Sequence, residues 1–358
     1  MKYKAAVISL GSKSSDMTID AMKKYFKTVD DINIKHIEVN ISGRDAEVLY
    51  KGEPLEDFDC VLAKGSFRFA PLLSSLTNLL QESTTMPISD SAFTIAHDKL
   101  LTHLALQKHN IPMPRTYIVA TADAAKEVMK KMHFPIIMKF PQGTQGKGVV
   151  FADSYSSGSS ILDALTALRQ PFILQEFVDT DGEDVRALVV GGKVVAAMKR
   201  KANSAEKRAN MHAGGTAETV FLDGVTERIA VKTAKALNAS ICGVDILMSV
   251  KGPVVIEANI SPGLQGITAT TGVDVADHIA KHLFKETDAR LSTNKQRFKE
   301  KVLSEVDNNN TLMTSLDFRG NRVLVPEMMT RRCHFSEDDM YEIIGLEGEL
   351  VIKKIKID

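Results

Sequence analysis

"GPVVIEANISPGLQGI" occupies residues 252–267 and carries a carboxylate and a carboxamide near the end of an otherwise apolar strand. Side chains two positions apart in a strand share a face, so Glu257 and Asn259 are expected to project together. A buried strand has no need of two such polar groups, and a Ser-Pro-Gly turn follows them at once. The pattern indicates a functional site at the end of this strand.

A third polar side chain is predicted on the preceding strand, "GVDILMS". If the two strands form a hairpin centred on Lys251, Asp245 lies opposite Glu257, because both are equally far from that centre. Two carboxylates and a carboxamide on one patch suit a hard divalent cation such as Mg²⁺. The alternative is that the carboxylates face solvent or pair with lysines, but the flanking runs are more apolar than a freely solvated edge.

The composition is that of an ordinary globular protein and excludes several functional classes. The chain has 358 residues, 44% hydrophobic and 25% charged, with 45 Lys+Arg balanced by 45 Asp+Glu. This balance predicts neither a nucleic-acid nor a membrane partner. The three cysteines are widely spaced, which argues against a disulfide framework or a zinc site. No apolar run reaches the roughly 18 residues of a membrane span, so we expect a cytoplasmic protein.

The alternation of elements predicts a fold that combines α/β and α+β regions. Residues 1–95 indicate an open α/β domain. Antiparallel hairpins and helices follow, which we divide into subdomains at 96–185 and 186–290, the second with the metal patch. Residues 291–310 are polar, end in three asparagines and are predicted to be a linker. Residues 311–358 indicate a small β-rich module.

Two features near residue 140 indicate anion binding. Lys139 follows the apolar run "FPIIM", where a lysine is costly unless it meets an anion or snorkels to the surface. The glycine-rich loop "GTQGKG" follows, in which backbone N–H groups could approach a phosphate, although many hairpin loops look similar. An earlier loop, "GSKSS" at residues 11–15, lacks the spacing of a phosphate-binding P-loop and is interpreted as a plain strand-to-helix turn.

Two further segments are suggestive but ambiguous. A strand that ends in "QEF" combines Glu176 with Phe177, which fits binding of a purine edge. Asp184 and Arg186 share a strand face and could form a salt bridge. The basic segment 199–215 suits an anionic substrate or phosphate, or is simply a solvated loop.

Taken in chain order, these motifs resemble the ATP-grasp fold of RimK-type glutamate ligases, which include the enzyme that modifies ribosomal protein S6. The resemblance extends over about residues 1–290 and is dense from 96 to 275. It implies an ATP-dependent ligase that adds L-glutamate, or a related amino acid, to an acceptor carboxylate through an acyl phosphate. The acceptor could be a protein C-terminus, as in ribosomal protein S6. Alternatives are a ligase for a small cofactor or peptide, and a non-catalytic ATP-binding scaffold.

The resemblance also implies roles for individual residues. Asp245, Glu257 and Asn259 would hold two Mg²⁺ ions, for which Mn²⁺ could substitute. The implied catalytic cations are Lys139, Arg200 and Arg208. The implied ATP contacts are Lys99, Lys139, Gly143, Gln145, Gly146, Gly148, Glu176, Phe177, Asp184, Arg208, Ala209 and Asn210. One departure is Ala213, which follows His212 where the family often has arginine; if that arginine holds the acceptor, a different acceptor is expected here.

The tail at residues 311–358 is similar to AbrB-like swapped-hairpin modules. It combines strands, a Val-Pro step, a short helix and an acidic turn. Seven Lys/Arg against nine Asp/Glu argue against DNA binding. We predict an oligomerisation or docking module, with a plain β-rich cap as the alternative, and a homo-oligomer such as a dimer or tetramer.

Overall fold

The computed structural model describes residues 2–43, 45–140, 148–167, 172–202, 215–309, 316–319, 322–347 and 349–355, with the backbone alone for 294–309. The chain forms two compact units, Met1–Arg290 and Leu291–Asp358. The finer domain boundaries stay predictions.

The first unit begins with a parallel three-stranded sheet. Its central strand β1 (Lys4–Ser9) lies between β2 (Thr28–Asn33) and β6 (Cys60–Ala63). Helix α1 (Lys13–Met22) connects β1 to β2, with Ser12 as its N-cap. A small antiparallel sheet and three helices complete this region: β3 (Ile37–Ile41), β4 (Ala46–Tyr50), β5 (Glu53–Pro54), α2 (Ala70–Leu80), α3 (Asp90–His97) and α4 (Lys99–Lys108).

A four-stranded antiparallel sheet follows, in the order β7-β10-β8-β9. Its apolar face packs on two helices around a core that includes Met129, Ile136 and Leu174. The elements are β7 (Thr116–Ile118), α5 (Ala122–Met129), β8 (Ile136–Lys139), β9 (Val149–Ala152), α6 (Tyr155–Ala167) and β10 (Ile173–Glu176). Period-2 alternation leaves the other face of this sheet for polar side chains.

A five-stranded antiparallel sheet, in the order β13-β12-β11-β14-β15, forms the rest of the first unit. Its strands are β11 (Glu183–Val190), β12 (Lys193–Lys201), β13 (Thr216–Thr219), β14 (Ile241–Ser249) and β15 (Gly252–Asn259). The helices are α7 (Gly224–Ala236), α8 (Gln265–Thr271) and α9 (Val275–Asn309). The predicted combination of an open α/β region with α+β hairpins is confirmed.

Helix α9 continues through the segment predicted as a linker, up to Asn309. The segment is rich in Lys, Glu, Gln, Arg and Leu, which all favour helix, so its polarity does not indicate irregular structure. Within the described part of the chain, no helix has the combined length and apolar character needed to cross a membrane.

The second unit contains two short hairpins and one helix beyond α9. They are β16 (Asp317–Arg319), β17 (Arg322–Leu324), α10 (Glu327–Arg332), β18 (Tyr341–Leu346) and β19 (Glu349–Lys354). None of the side chains described in this unit is buried. By contrast, the buried apolar core of the first unit extends from Tyr3 to Leu283.

Candidate active site

A lateral row of charged side chains crosses the five-stranded sheet on one face. Strand register places Asp184 opposite Arg200, Arg186 opposite Asp245, and Asp245 opposite Glu257. Residues directly opposite each other in a sheet project to the same side, and Asp184 and Arg186 are two positions apart. Four neighbouring strands therefore contribute to one row.

The buried part of this row is a network of two aspartates and two arginines. Arg186 binds Asp245 through two hydrogen bonds of 2.7 Å, and Arg200 binds Asp184 through hydrogen bonds of 2.6 and 2.7 Å. Nη2 of Arg200 also lies 2.9 Å from Oδ2 of Asp245. Two charges of each sign balance, which is how charges are tolerated at buried positions.

The pKa values of the two aspartates reflect this network. The guanidinium groups of Arg186 and Arg200 oppose the effect of burial and hold the pKa of Asp245 at about 2. Burial and the neighbouring carboxylate raise the pKa of Asp184 to about 6, and its bidentate arginine keeps it ionised at neutral pH. The expected pairing of Asp184 with Arg186 is therefore wrong, since each pairs with a residue of an adjacent strand.

Glu257 has a different environment from Asp245, although the two are directly opposed. Its side chain is exposed, yet desolvation by its surroundings and the Asp245 carboxylate raise its pKa. Solvent access combined with desolvation describes a recessed position, open on one side only. Among the described residues, no hydrogen bond or ion pair involves the Glu257 carboxylate.

The predicted opposition of Asp245 and Glu257 is confirmed, but the hairpin is not symmetric about Lys251 as predicted. Its pairing begins at Ser249 and Gly252, which places the centre of the turn before Lys251. The register then shifts by one residue between Ile246 and Asp245. This β-bulge restores the opposition that a symmetric count predicts.

Three side chains at this end of the sheet retain capacity to hold Mg²⁺. Glu257 offers its carboxylate, Oδ1 of Asp245 accepts one hydrogen bond, and Oδ1 of Asn259 accepts one from the Ser261 N–H at 2.8 Å. An sp² oxygen has two lone pairs, so each of these atoms has one left. Among the described residues, no cluster of three acidic, histidine or cysteine side chains could hold a metal, so the candidate set is two carboxylates and one carboxamide.

Two lysines lie near Glu257. Lys139 ends β8 and Lys99 begins α4, and the positive charge of each opposes the rise in the pKa of Glu257. Burial lowers the pKa of Lys139 to about 8 and also lowers that of Lys99. The Lys99 side chain is half-buried, whereas a lysine in the first turn of a helix is ordinarily solvated. Desolvated cations beside a carboxylate-rich patch suit the phosphates of a nucleotide.

A buried histidine, not identified from the sequence, links helix α4, which carries Lys99, to β10, the strand paired with β8. Nδ1 of His103 lies 2.5 Å from the Lys99 carbonyl, and its Nε2 lies 3.0 Å from Nε2 of Gln175 on β10. Gln175 also donates to Thr116 at 2.8 Å. Burial and the two nearby lysines lower the pKa of His103, so the ring is neutral and accepts the Gln175 hydrogen bond. Only the tertiary packing of α4 on the sheet reveals this link.

The predicted purine contacts lie at the other end of β10. Ile173 is opposite Lys139 and Glu176 is opposite Ile136, so Lys139 and Glu176 are about 10 Å apart along the sheet. Glu176 is exposed. The next residue, Phe177, packs edge-on against Phe151 with ring centroids 5.4 Å apart. Because Ile136 and Lys139 are three positions apart, the Lys139 and Glu176 side chains project from opposite faces of the sheet.

Several predicted site residues lie outside the described residues: Gly143, Gln145, Gly146, Arg208, Ala209 and Asn210, with His212 and Ala213. Gly148 is described and has a φ of +77°. A Cβ atom there would lie 2.3 Å from Cδ2 of Phe140, so the close approach requires glycine.

Comparison with known proteins identifies the family of this chain. The RimK-like ATP-grasp domain model matches residues 96–283. A probable alpha-L-glutamate ligase of Marinomonas sp. (strain MWYL1) is 35% identical over 301 residues, which are 83% of this chain and 99% of the relative.

Two solved structures share the fold. The RimK domain ATP-grasp protein of Sphaerobacter thermophilus superposes with a TM-score of 0.61 at 19% identity, over 78% of this chain and 99% of that one. The ATP-grasp ligase PsnB, complexed with minimal precursor, Mg and ADP, gives a TM-score of 0.63 at 16% identity, over 80% and 98%. With the family model and the Marinomonas relative, they lead to one conclusion: this chain belongs to the RimK-like ATP-grasp family and is an ATP-dependent ligase.

Proposed function

We propose that this ligase joins L-glutamate, or a closely related amino acid, to an acceptor carboxylate. The observation that carries the proposal is the recessed carboxylate of Glu257, which has no hydrogen-bond or ion-pair partner among the described residues and lies opposite Asp245 and close to Lys99 and Lys139. Carboxylates beside desolvated lysines suit a magnesium–nucleotide complex better than either group alone. The name of the Marinomonas relative supports glutamate as the added amino acid.

The residues present fit a magnesium site formed by Asp245, Glu257 and Asn259. Bound there, the metal would neutralise charge on the transferring phosphoryl group. We propose that these residues would hold two ions, with Glu257 as one of the ligands, and that Mn²⁺ could replace Mg²⁺. Arg186 and Arg200 hold the Asp245 carboxylate in one orientation, with its remaining lone pair available. Arg200 thus acts as a positioning residue in this arrangement.

The proposed reaction has two steps, and both balance without a protein nucleophile. An oxygen of the acceptor carboxylate attacks the γ-phosphorus of ATP, the bond to the β-phosphate oxygen breaks, and ADP leaves. The amine of the amino acid then attacks the acyl carbon, the bond to the phosphate oxygen breaks, and inorganic phosphate and one proton are released. Lys99 and Lys139 would supply fixed positive charge to the phosphates. Arg208 would add to it, if the family role applies.

The family resemblance also assigns residues to the two ends of the nucleotide. Glu176 and Phe177 would contact adenine, residues 143–148 would close over the phosphates, and residues 208–210 would contact the phosphates and the acyl group. The family resemblance would place Asp184 near the ribose, but both of its oxygens bind Arg200. A ribose contact would therefore use only the remaining lone pairs of Asp184.

We infer that the acceptor is a protein C-terminus and that the second unit promotes self-association. The family resemblance supports the first inference. The second rests on apolar side chains that are exposed in a unit without described buried residues. A two-stranded hairpin is marginal alone, so its exposed apolar face favours a partner.

The direct test measures ADP release with ATP, Mg²⁺, L-glutamate and a panel of acceptors that includes whole-proteome protein and small carboxylates. We expect release that depends on both glutamate and an acceptor, with products heavier by one or more glutamyl residues in mass spectrometry. Products found only on small carboxylates would favour the small-molecule alternative. ATP binding without turnover on any amino acid and acceptor would leave the scaffold alternative and reject the ligation.

A further inference from the structure

The N-terminal parallel sheet has a crevice at the carboxyl ends of its strands. Strand β1 lies between β2 and β6, and the connection that leaves β1 leads to β2, away from β6. Ligands of open α/β sheets bind outside the carboxyl ends of the strands, where the connections leave such a space. The loop "GSKSS", interpreted above as a plain turn, begins here with Gly11 at a φ of +74°.

The turn after the candidate metal strand packs against this crevice. The Ser14 hydroxyl accepts a hydrogen bond from the Leu264 N–H at 2.9 Å and donates to Gln265 at 2.7 Å. On the β6 side, the Gly65 N–H donates to the Ser261 hydroxyl at 3.3 Å. The crevice is therefore continuous with the end of the strand that carries Glu257 and Asn259.

Lys64, which directly follows β6, extends into this region. Its side chain lines a cavity together with Thr18 of α1, Ser261 of the turn, and apolar side chains that include Ile260 and Leu264. Within the described residues, the Lys64 ammonium has no hydrogen-bond or ion-pair partner. The side chain retains partial solvent access, while burial lowers its pKa to about 8. A desolvated cation without a partner is costly, and an anionic ligand would remove that cost.

The charges around Lys64 also favour an anion. The loops at residues 9–15, 64–69 and 260–268 contain three cations and no aspartate or glutamate. Helix α1 starts at this edge, and its N-terminal dipole has the same sign as the cations. The next acid along the chain, Asp16, lies just outside these segments and is exposed in the first turn of α1.

We propose that Lys64 binds a carboxylate of the amino-acid substrate and holds it beside the metal strand. The inference rests on the ligase function proposed above and identifies a specificity residue within it. The chemistry of the reaction favours the amino acid, rather than the acceptor, as the substrate whose carboxylate Lys64 binds. The acceptor carboxylate is converted to an acyl phosphate, whereas the carboxylates of the incoming amino acid remain charged throughout. A fixed cation separate from Lys99 and Lys139, the lysines proposed for the phosphates, suits the carboxylate that is not consumed.

The test compares wild type with Lys64→Met and Lys64→Arg in steady-state ADP release, with glutamate and ATP varied separately. Loss of a charge-assisted hydrogen bond predicts a KM for glutamate about 10- to 100-fold higher in Lys64→Met, with the KM for ATP unchanged. Lys64→Arg should recover much of this loss. Lys27→Met is the matched control, because Lys27 is exposed next to β2 at the opposite edge of the sheet.

A stability measurement separates a binding role from a folding role. Lys64→Met removes a desolvated ammonium, so its Tm should equal or exceed that of wild type while its use of glutamate is impaired. An unchanged KM for glutamate in an active, folded Lys64→Met protein would overturn the carboxylate site and leave the ligase function intact. A wild-type protein without amino-acid-dependent turnover would reject the ligase function itself, which is a different result.

Discussion

The two opposed carboxylates at the candidate metal site have different partners. Asp245 is buried between two guanidinium groups, whereas Glu257 faces solvent on one side and has no described partner. The first is built into the fold and the second is available for a ligand. This asymmetry decides which of them can be removed without unfolding the protein.

Replacing Glu257 by alanine should abolish amino-acid-dependent ADP release and leave the fold intact. Desolvation and the Asp245 carboxylate already disfavour the charge of Glu257, so its removal should not lower the free energy of unfolding by more than about 0.5 kcal/mol. Glu227→Ala is the matched control, because Glu227 is also exposed and lies on α7. Urea denaturation and the ADP assay check the two expectations. Retained turnover in Glu257→Ala would contradict the metal assignment.

Lys64 should make stability depend on pH in a direction opposite to that of a salt-bridged lysine. The pKa of its ammonium is about 8 in the folded chain and about 10.4 when unfolded. Below pH 8 both states are protonated, and the folded state bears the full cost of burial, on the order of 3 kcal/mol. Between pH 8 and about 10.4 the unfolded state binds more protons, so stability rises with pH.

The comparison of wild type with Lys64→Met isolates this effect from other titrating groups. We expect the variant to be more stable at pH 7 and the difference to shrink towards zero by about pH 10.5. Denaturant unfolding at several pH values measures it. A difference that stays constant across this range would show that Lys64 is ordinarily solvated.

At the scale of elements, the site depends on register between strands. The sequence was sufficient to predict Asp245 opposite Glu257, but through a symmetric hairpin without a bulge. The turn is centred before Lys251, and the bulge shifts the register back by the same amount. The predicted pair was therefore correct, although the prediction contained neither feature. A one-residue bulge leaves no clear mark on an alternating pattern.

The arginine network was not predictable from the sequence for a related reason. Asp184 and Arg186 lie close in sequence, yet each binds a residue from another strand. The Asp184–Arg200 pair lies across the β11–β12 hairpin, whereas the Arg186–Asp245 pair depends on the pairing of β11 with β14, a strand that is not adjacent in the chain and whose position is not encoded locally. By contrast, Lys139 and the metal strand could be selected as candidates from the sequence, because each combines polar residues with an apolar strand.

Replacing Arg186 by methionine tests the network as a structural unit. The variant leaves Asp245 buried with Arg200 alone, and breaking a buried ion pair typically costs about 3 to 5 kcal/mol. We expect a loss near 3 kcal/mol, because one guanidinium remains. Arg228→Met, an exposed position on α7, is the control. A loss below about 1 kcal/mol in urea denaturation would contradict a network that holds the sheet together.

At the scale of the whole molecule, the two units are unequal in how they bury apolar surface. The first has an extensive core, and the second exposes side chains such as Phe318, Ile343 and Leu350, with 63%, 65% and 58% of their surface accessible. Register puts Leu350 opposite Gly345, so it shares a face with Ile343. The sequence predicted a separate β-rich module here but did not predict that α9 extends to Asn309.

We expect Ile343→Lys combined with Leu350→Lys to reduce the oligomeric state. Two charges on the shared face would disfavour burial against another copy. Light scattering coupled to size-exclusion chromatography gives the mass directly, with Glu349→Lys as a control that changes charge on the other face of the hairpin. If wild type is a monomer at micromolar concentration, self-association through this unit is wrong.

The lateral row also has a consequence for how this sequence can change in length. Its members come from four strands. Inserting or deleting one residue within a strand turns the following side chains to the opposite face. Insertions and deletions between a turn and the charged residue of β11, β12, β14 or β15 should therefore be selected against. The bulge beside Asp245 is the exception that the fold already contains. Variation in length among relatives should accordingly collect at the turns near residues 191–192 and 250–251, which lie away from the row.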